Sequence, residues 1–130
     1  MPGVALIVDD SMVIRHTVSR FLEERGYAVE AASNGMEALE ILKRIPAVLL
    51  ITDMQMPAMG GSELITALKS QPQTASIPIV ILTGRSSGFD SSENRAEFII
   101  FKDINIQEQL EKALTAVANG NAAKARASGT

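Results

Sequence analysis

The chain has 130 residues, of which 46% are hydrophobic and 21% charged, and this composition is typical of one globular domain. Its net charge of -3, with no dense basic cluster, disfavours direct nucleic-acid binding, and the absence of cysteine excludes disulfides and zinc-thiolate sites. No apolar run approaches the roughly 20 residues of a membrane span, and the stretch before Asp9 is too short for a secretory signal. We therefore expect a cytoplasmic protein.

The first part of the chain predicts a strand, a helix, a weaker strand and a second helix. Residues 4–8 are continuously apolar, as in a strand buried on both faces of a parallel sheet. The helix that follows carries apolar residues at i, i+4, i+7 and i+8, counted from Ile14. Residues 27–32 are a weaker candidate for a strand. Asn34, with Glu37 three residues later, resembles a capping box that opens the second helix.

The alternation of apolar runs and amphipathic segments continues through the rest of the chain. The remaining predicted elements are three buried strands at 48–51, 79–82 and 98–101 and two helices at 62–70 and 106–118. Segment 85–97 has five Ser or Gly residues and no apolar periodicity, so a helix there is expected to be short, frayed or absent. We expect one domain over 1–119 and a flexible tail over 120–130, which is small and polar.

This order of elements predicts an α/β fold. Strands that alternate with helices form a doubly wound parallel sheet through right-handed crossovers, and five strands are expected here. Ligands of such sheets bind beyond the carboxyl ends of the strands. The polar residues that follow the apolar runs are therefore the candidate functional residues.

Five polar side chains stand at these strand ends. Asp9 and Asp10 follow the first strand, and Asp53, Thr83 and Lys102 follow the later ones. Because the carboxyl ends of parallel strands share one edge of the sheet, we expect three acids, one hydroxyl and one ammonium to converge.

The adjacent carboxylates need a compensating cation. Two like charges about 4 Å apart repel by about 4 kcal/mol at an effective dielectric near 20. Mg²⁺ prefers oxygen ligands, keeps several waters and binds to one or two carboxylates together with phosphate oxygens. A carboxylate beside such an ion can serve as a nucleophile toward phosphorus, while Lys102 and Thr83 can hold the transferred group.

Four motifs, in this order at the strand ends, carry a resemblance to a known family: DD (9 and 10), TDMQMPAMGG (52–61), LTG (82–84) and FK (101 and 102). Over residues 4 to about 118 the chain resembles the receiver domain of two-component response regulators, of the single-domain type. The resemblance implies a flavodoxin-like sheet of order 2-1-3-4-5 with about five helices.

The resemblance also implies roles for the acidic residues. Asp53 would accept a phosphoryl group from a histidine kinase. Asp10 would bind Mg²⁺ directly and Asp9 would assist through water, while Asp53 and the backbone carbonyl of Gln55 would complete the protein ligands. Mn²⁺ could replace Mg²⁺ at such a site.

In the same family, the residues of the last two strands would contact the phosphoryl group. These contacts would come from the Thr83 hydroxyl, the Gly84 amide and the Lys102 amine. Ile99 stands where the family commonly has a switch aromatic, so coupling of the usual kind from threonine to an aromatic is not expected. Asp103 stands where a cis proline is usual; because a cis bond without proline costs about 2.5–4 kcal/mol, the bond is trans or stores strain.

Several of these residues have simpler interpretations. Asp10 or Ser11 could cap the first helix, and Asp53 could be a turn aspartate. His16 could carry phosphate, although its polar surroundings favour a surface histidine. Arg85 could line the approach to the acids or be an exposed loop cation.

The function predicted from the sequence is a receiver that takes phosphoryl on Asp53 with Mg²⁺ bound and then binds a downstream protein differently. Its partners would be a histidine kinase or phosphotransfer protein and that target, not nucleic acid or membrane, and it would be a monomer or weak dimer. It would not be an enzyme beyond self-catalysed phosphorylation and dephosphorylation. The alternatives are a scaffold that binds its partner without phosphorylation and a Mg²⁺-dependent phosphohydrolase.

Overall fold

The computed structural model describes residues 3–84, 96–102 and 105–128. Within them, five strands form one parallel sheet in the order β2-β1-β3-β4-β5. The strands are β1 (Val4–Val8), β2 (Ala28–Ala32), β3 (Leu49–Asp53), β4 (Ile79–Thr83) and β5 (Phe98–Phe101). The helices are α1 (Met12–Glu23), α2 (Gly35–Arg44), α3 (Gly61–Lys69) and α4 (Ile106–Ser128). The predicted α/β class, flavodoxin-like fold and strand order are confirmed.

The continuous apolar runs form the central strands because helices cover both faces of the sheet. Every residue of β3 and β4 is buried, as is every residue of β1 after Val4. Two of these strands extend beyond the predicted runs: β3 by two residues, to Asp53, and β4 by one residue, to Thr83. Two candidate functional residues are thus the last residues of buried strands.

A hydrophobic core lies on each face of the sheet. On one face, β1, β3, β4 and β5 pack against buried residues of α1 and α4, namely Val18, Phe21, Leu22, Leu110, Ala113 and Val117. On the other face, the buried helical residues come from α2 and α3: Ala38, Leu64, Ile65 and Leu68. Burying one large aliphatic side chain contributes about 1.5–3 kcal/mol, so these two layers fix the sheet on which the polar residues stand.

Side-chain caps begin helices α1 and α2. Ser11 caps α1, and its hydroxyl accepts a hydrogen bond from the Ile14 N–H at 3.3 Å. Asn34 caps α2 through the Glu37 N–H at 3.0 Å, as predicted. The Glu37 carboxylate, however, accepts from the backbone of Ser33 at 2.6 Å, one residue earlier than a standard capping box requires. Because Ser11 provides the α1 cap, Asp10 is not needed for that role.

Helix α4 is longer than predicted, since it runs to Ser128 rather than ending at 118. Residues 122–127 contain only Ala, Lys and Arg, which have high helix propensity, and the prediction gave this propensity too little weight. The flexibility of 120–130 stays a prediction. The expected short helix within 85–97 and the bond between 102 and 103 fall mainly outside the described residues. Across the described ranges, no helix is both long and apolar enough to span a membrane.

Candidate functional site

Three charged side chains meet at the carboxyl ends of β1, β3 and β5. The Nζ atom of Lys102 lies 2.7 Å from Oδ2 of Asp9 and 3.1 Å from Oδ2 of Asp53. The Asp9 side chain is fully buried and that of Asp53 is 9% exposed, whereas that of Lys102 is 22% exposed. One ammonium group therefore bridges two carboxylates at a site from which most water is excluded.

The other oxygen of each carboxylate bonds to the turn that follows its own strand. Oδ1 of Asp9 accepts from the Ser11 N–H at 2.8 Å. Oδ1 of Asp53 accepts from the Met54 N–H at 2.8 Å and more weakly from the Gln55 N–H at 3.4 Å. These local bonds fix both carboxylates with Oδ2 directed at Lys102.

The pKa values of Asp9 and Lys102 are both raised, although the causes differ. Burial raises the pKa of Asp9 above its ordinary value of 3.8; the charge of Asp53 adds to this rise, while Lys102 and the Ser11 N–H oppose it. Burial alone would lower the pKa of Lys102, but hydrogen bonds to Asp9 and Asp53 outweigh it and raise that pKa above 10.5. Two carboxylates thus face a single ammonium, and the site retains an excess of negative potential.

The acidic residues at this edge form a donor set suited to a hard divalent cation. Asp9, Asp10 and Asp53 each offer one carboxylate oxygen, and these three oxygens lie within 4.8 Å of one another. Oδ2 of Asp9 is buried and, apart from the Lys102 ammonium beside it, accepts no well-aligned hydrogen bond within the described part of the chain. Asp10 is exposed at the rim, as is Gln55. An all-oxygen, carboxylate-rich set open to water on one side fits Mg²⁺ or Mn²⁺.

Thr83 and Gly84 lie at the neighbouring end of β4. Thr83 is 1% exposed; its hydroxyl donates to the Gly84 carbonyl at 3.4 Å, and its own carbonyl accepts from the Lys102 N–H at 2.9 Å. The strand end that carries Thr83 is therefore bonded directly to the residue that carries the ammonium. A Cβ added at Gly84 would meet no atom within 4 Å among the described residues.

The family model described as the response regulator receiver domain matches residues 5–115 of this chain. The chain belongs to that family. Among curated relatives, a probable cyclic di-GMP phosphodiesterase of Vibrio cholerae is 39% identical over 104 residues, which are 78% of this chain and 23% of that protein. The receiver spans 23%, 11% and 8% of the lengths of three such relatives, which are therefore much larger proteins.

Solved structures show the same relationship over whole chains. The chemotaxis response regulator CheY4 of Vibrio cholerae matches with a TM-score of 0.78 at 31% identity, over 89% of the receiver and 99% of that chain. The response regulator TrrA of Thermotoga maritima, solved in complex with Mg(2+)-BeF, matches with a TM-score of 0.74 at 30% identity, over 88% of the receiver and 98% of that chain.

The loop between β3 and α3 holds the receiver's acidic edge through a close backbone approach. A Cβ added at Gly61 would lie 2.3 Å from the carbonyl oxygen of Asp53, so only glycine fits there. The Gly61 N–H also donates to the Met54 carbonyl at 3.1 Å. Ala58 in the same loop has a left-handed φ of 66°, which costs roughly 1–2 kcal/mol for a residue with a Cβ. The turn after Asp53 is thus determined by backbone sterics.

The structure does not join every candidate to this cluster. His16 is exposed on α1, and no contact within the described residues links it to the acids. Ile99, the residue predicted to stand at the switch position, is half-buried and packs against the core on the α2 and α3 face. Arg85 and Asp103 lie outside the described ranges.

Two contacts beside the site were missed from the sequence. Arg15 donates from Nη1 to the Asp9 carbonyl at 2.6 Å, and the side-chain amide of Gln109 bonds to the backbone of Phe101. Both side chains come from helices, where polar residues are ordinarily solvated. Only the packing of α1 and α4 against the sheet brings them to strand ends.

Proposed function

We propose that this receiver domain accepts a phosphoryl group on Asp53 from a histidine kinase or phosphotransfer protein, with a divalent cation bound, and signals through changed affinity for a downstream protein. One observation carries the proposal. The Asp53 carboxylate lies at a strand end beside the Lys102 ammonium, with an oxygen close to those of Asp9 and Asp10. A nucleophile, a cation donor set and a positive charge for the transferred group thus share one edge.

The transfer is a substitution at phosphorus. An Asp53 carboxylate oxygen forms a bond to phosphorus while the bond from phosphorus to the donor's imidazole nitrogen breaks, and the histidine leaves as the free side chain. When Mg²⁺ is bound, it neutralises charge on the phosphoryl oxygens and orients them. Asp9, Asp10 and the Gln55 carbonyl, together with Asp53, are the protein groups proposed to hold it.

The residues at the ends of β4 and β5 stabilise the product. In this proposal the Lys102 ammonium, now beside Asp53 Oδ2 at 3.1 Å, moves to an oxygen of the phosphoryl group. The Thr83 hydroxyl turns from the Gly84 carbonyl toward the same group, and the Gly84 amide donates to it. The weak 3.4 Å bond from Thr83 to Gly84 is consistent with this change, because little hydrogen bonding is lost when it breaks.

Phosphorylation adds charge and acceptor oxygens at Asp53, and this can shift neighbouring loops between two arrangements. Because Ile99 fills the position of the switch aromatic, we propose that the change is transmitted by the loops rather than by rotation of an aromatic ring. The receiver would act in the cytoplasm as a monomer or weak dimer, and its output would be a protein target rather than nucleic acid or membrane.

The deciding experiment is incubation with Mg²⁺ and acetyl phosphate, followed by intact and peptide mass spectrometry. We expect an added mass of about 80 Da, located at Asp53. Asp53→Asn should abolish the addition, whereas Glu63→Gln, which neutralises an exposed acid on α3, should leave it unchanged. A folded protein that gains no mass from acetyl phosphate or from any of a panel of kinases would contradict the proposal.

A second candidate function is a scaffold that binds its partner without phosphorylation, and the aliphatic Ile99 at the switch position favours it. The two functions differ in their response to Asp53→Asn. In a phosphorylation-dependent receiver, treatment with acetyl phosphate should increase the affinity for the partner, and Asp53→Asn should abolish this increase. A scaffold should bind equally well before treatment, after treatment and with the substitution.

A further inference from the structure

Gln109 on α4 makes a paired contact with the backbone of β5. Its Oε1 accepts from the Phe101 N–H at 2.9 Å, and its Nε2 donates to the Phe101 carbonyl at 2.7 Å. A primary amide that both accepts from and donates to one residue imitates the hydrogen-bonding pattern of a neighbouring strand. Gln109 and Phe101 are both half-buried, so these bonds are partly shielded from water.

The position of this contact follows from the alternation of the strand. Within the described residues, β5 is the edge strand of the sheet and pairs only with β4. The Lys102 N–H points inward to the Thr83 carbonyl at 2.9 Å. Because backbone groups of successive residues in a strand point to opposite sides, those of Phe101 point outward, away from β4. The amide of Gln109 closes the sheet there, one residue before Lys102.

Lys102 is thus attached at two places. Its own N–H is bonded to β4, and the residue before it is bonded to α4 through Gln109. Its side chain reaches from this point to Asp9 at 2.7 Å and Asp53 at 3.1 Å. A flexible four-carbon side chain places its ammonium reproducibly only when its backbone is fixed. The hydrogen bonds from Gln109 to Phe101 therefore restrict where the Lys102 ammonium lies.

We propose that Gln109 is a positioning residue that holds the end of β5 and thereby keeps the Lys102 ammonium between Asp9 and Asp53. This rests on the proposed phosphoryl transfer for its functional consequence, although the positioning of Lys102 can be measured without it. The contact also links α4 directly to the site through two hydrogen bonds and one peptide unit. Movement of α4 and the placement of the ammonium are therefore coupled.

The chain offers a matched control in the same helical turn. Gln109→Met keeps the length of the side chain and removes both hydrogen bonds to Phe101. Gln107→Met makes the same chemical change at an exposed position of α4. Gln109→Glu keeps an acceptor for the Phe101 N–H but cannot donate to the Phe101 carbonyl, so its effect should be intermediate.

Two measurements are made on the unsubstituted protein and on the three variants. The first is the labelling rate of Lys102 by an amine-acylating reagent, normalised to exposed Lys69 in the same sample; for Gln109→Met we expect an increase of about threefold. The second is phosphorylation by acetyl phosphate at saturating Mg²⁺, for which we expect a maximal rate about tenfold lower. The Mg²⁺ concentration for half-maximal rate should not change, because Gln109 bonds to the backbone of β5 rather than to the acids.

The outcomes separate this proposal from the proposed function. Faster labelling together with a lower maximal rate, with Gln107→Met unchanged, supports the positioning role. Unchanged labelling overturns it, and so does faster labelling with full phosphorylation, because Gln109 would then matter only for local structure. If the unsubstituted protein accepts no phosphoryl group at all, the proposed function fails, and the labelling result alone supports or overturns the positioning of Lys102.

Discussion

The two halves of the functional edge are held in different ways. In the acidic half, at β1 and β3, each carboxylate bonds to a backbone N–H within two residues of itself, as Asp9 does with Ser11 and Asp53 with Met54. In the basic half, at β4 and β5, the position of Lys102 depends on two other residues. Thr83 is distant from it in sequence, and Gln109 belongs to helix α4. The acidic half is therefore a local construction, whereas the basic half depends on tertiary packing.

The largest expected effect tests the local construction of the acidic half. In Gly61→Ala the new Cβ would lie 2.3 Å from the Asp53 carbonyl oxygen, so the backbone that carries this carboxylate must shift. We expect a loss of about 3 kcal/mol in the free energy of unfolding. Urea denaturation followed by circular dichroism measures this change.

Gly60→Ala is the control for that substitution. A Cβ at Gly60 would lie 3.0 Å from the Met54 carbonyl, and the residue has an ordinary φ of -81°, so a small shift suffices. Its cost should be about 1 kcal/mol or less. Equal losses for the two variants would show that the backbone approach at Gly61 does not hold the acidic half.

The next effect tests how far the acidic half depends on the basic one. Lys102→Met removes the ammonium and leaves the fully buried carboxylate of Asp9 without its positive partner. We expect a loss of about 2 kcal/mol in Mg²⁺-free buffer, less than for a fully buried pair because Lys102 is partly exposed. Added Mg²⁺ should restore part of this stability, because a cation can replace the lost charge.

Lys112→Met provides the comparison for an exposed ion pair. Its ammonium lies 3.7 Å from Glu108 on the surface of α4, and removing it should change stability by only about 0.5 kcal/mol. If Lys102→Met were no more destabilising than Lys112→Met, the two halves would be independent of each other.

The smallest effect is a dependence on pH that arises from Asp9. Burial raises the folded-state pKa of Asp9 above 3.8, so the folded protein binds this proton more tightly than the unfolded chain does. The stability of the unsubstituted protein relative to Asp9→Asn should therefore be greatest below pH 3.8 and should fall as pH rises through the folded-state pKa. Near neutral pH without Mg²⁺, Asp9→Asn should be the more stable by about 1 kcal/mol.

Thermal melts of both proteins over an acid-to-neutral pH series measure this difference. A relative stability that does not change with pH would mean that Asp9 does not carry the raised pKa. A relative stability that increases with pH would reverse the sign of the argument.

The same division explains what could be predicted from the sequence. The buried strands and the acids at their ends were predictable because continuous apolar runs mark β1, β3 and β4, and because Asp9 follows such a run directly and Asp53 follows one after Thr52. The structural role of Gln109 was not predictable, since its partner is the backbone of β5, which Gln109 reaches only when α4 packs against that strand. The length of α4 was underestimated because the polar sequence after 118 suggested a tail, although its alanines favour a helix.

The amide pairing at Phe101 also bears on solubility. Edge strands expose unpaired N–H and C=O groups to which a strand of another molecule can add, and such addition begins aggregation. At the last residue of β5 these groups are already occupied by Gln109, so an incoming strand would have to displace a side chain before it could pair there. One glutamine thus protects the margin of the sheet against intermolecular strand pairing at the end nearest the acidic cluster.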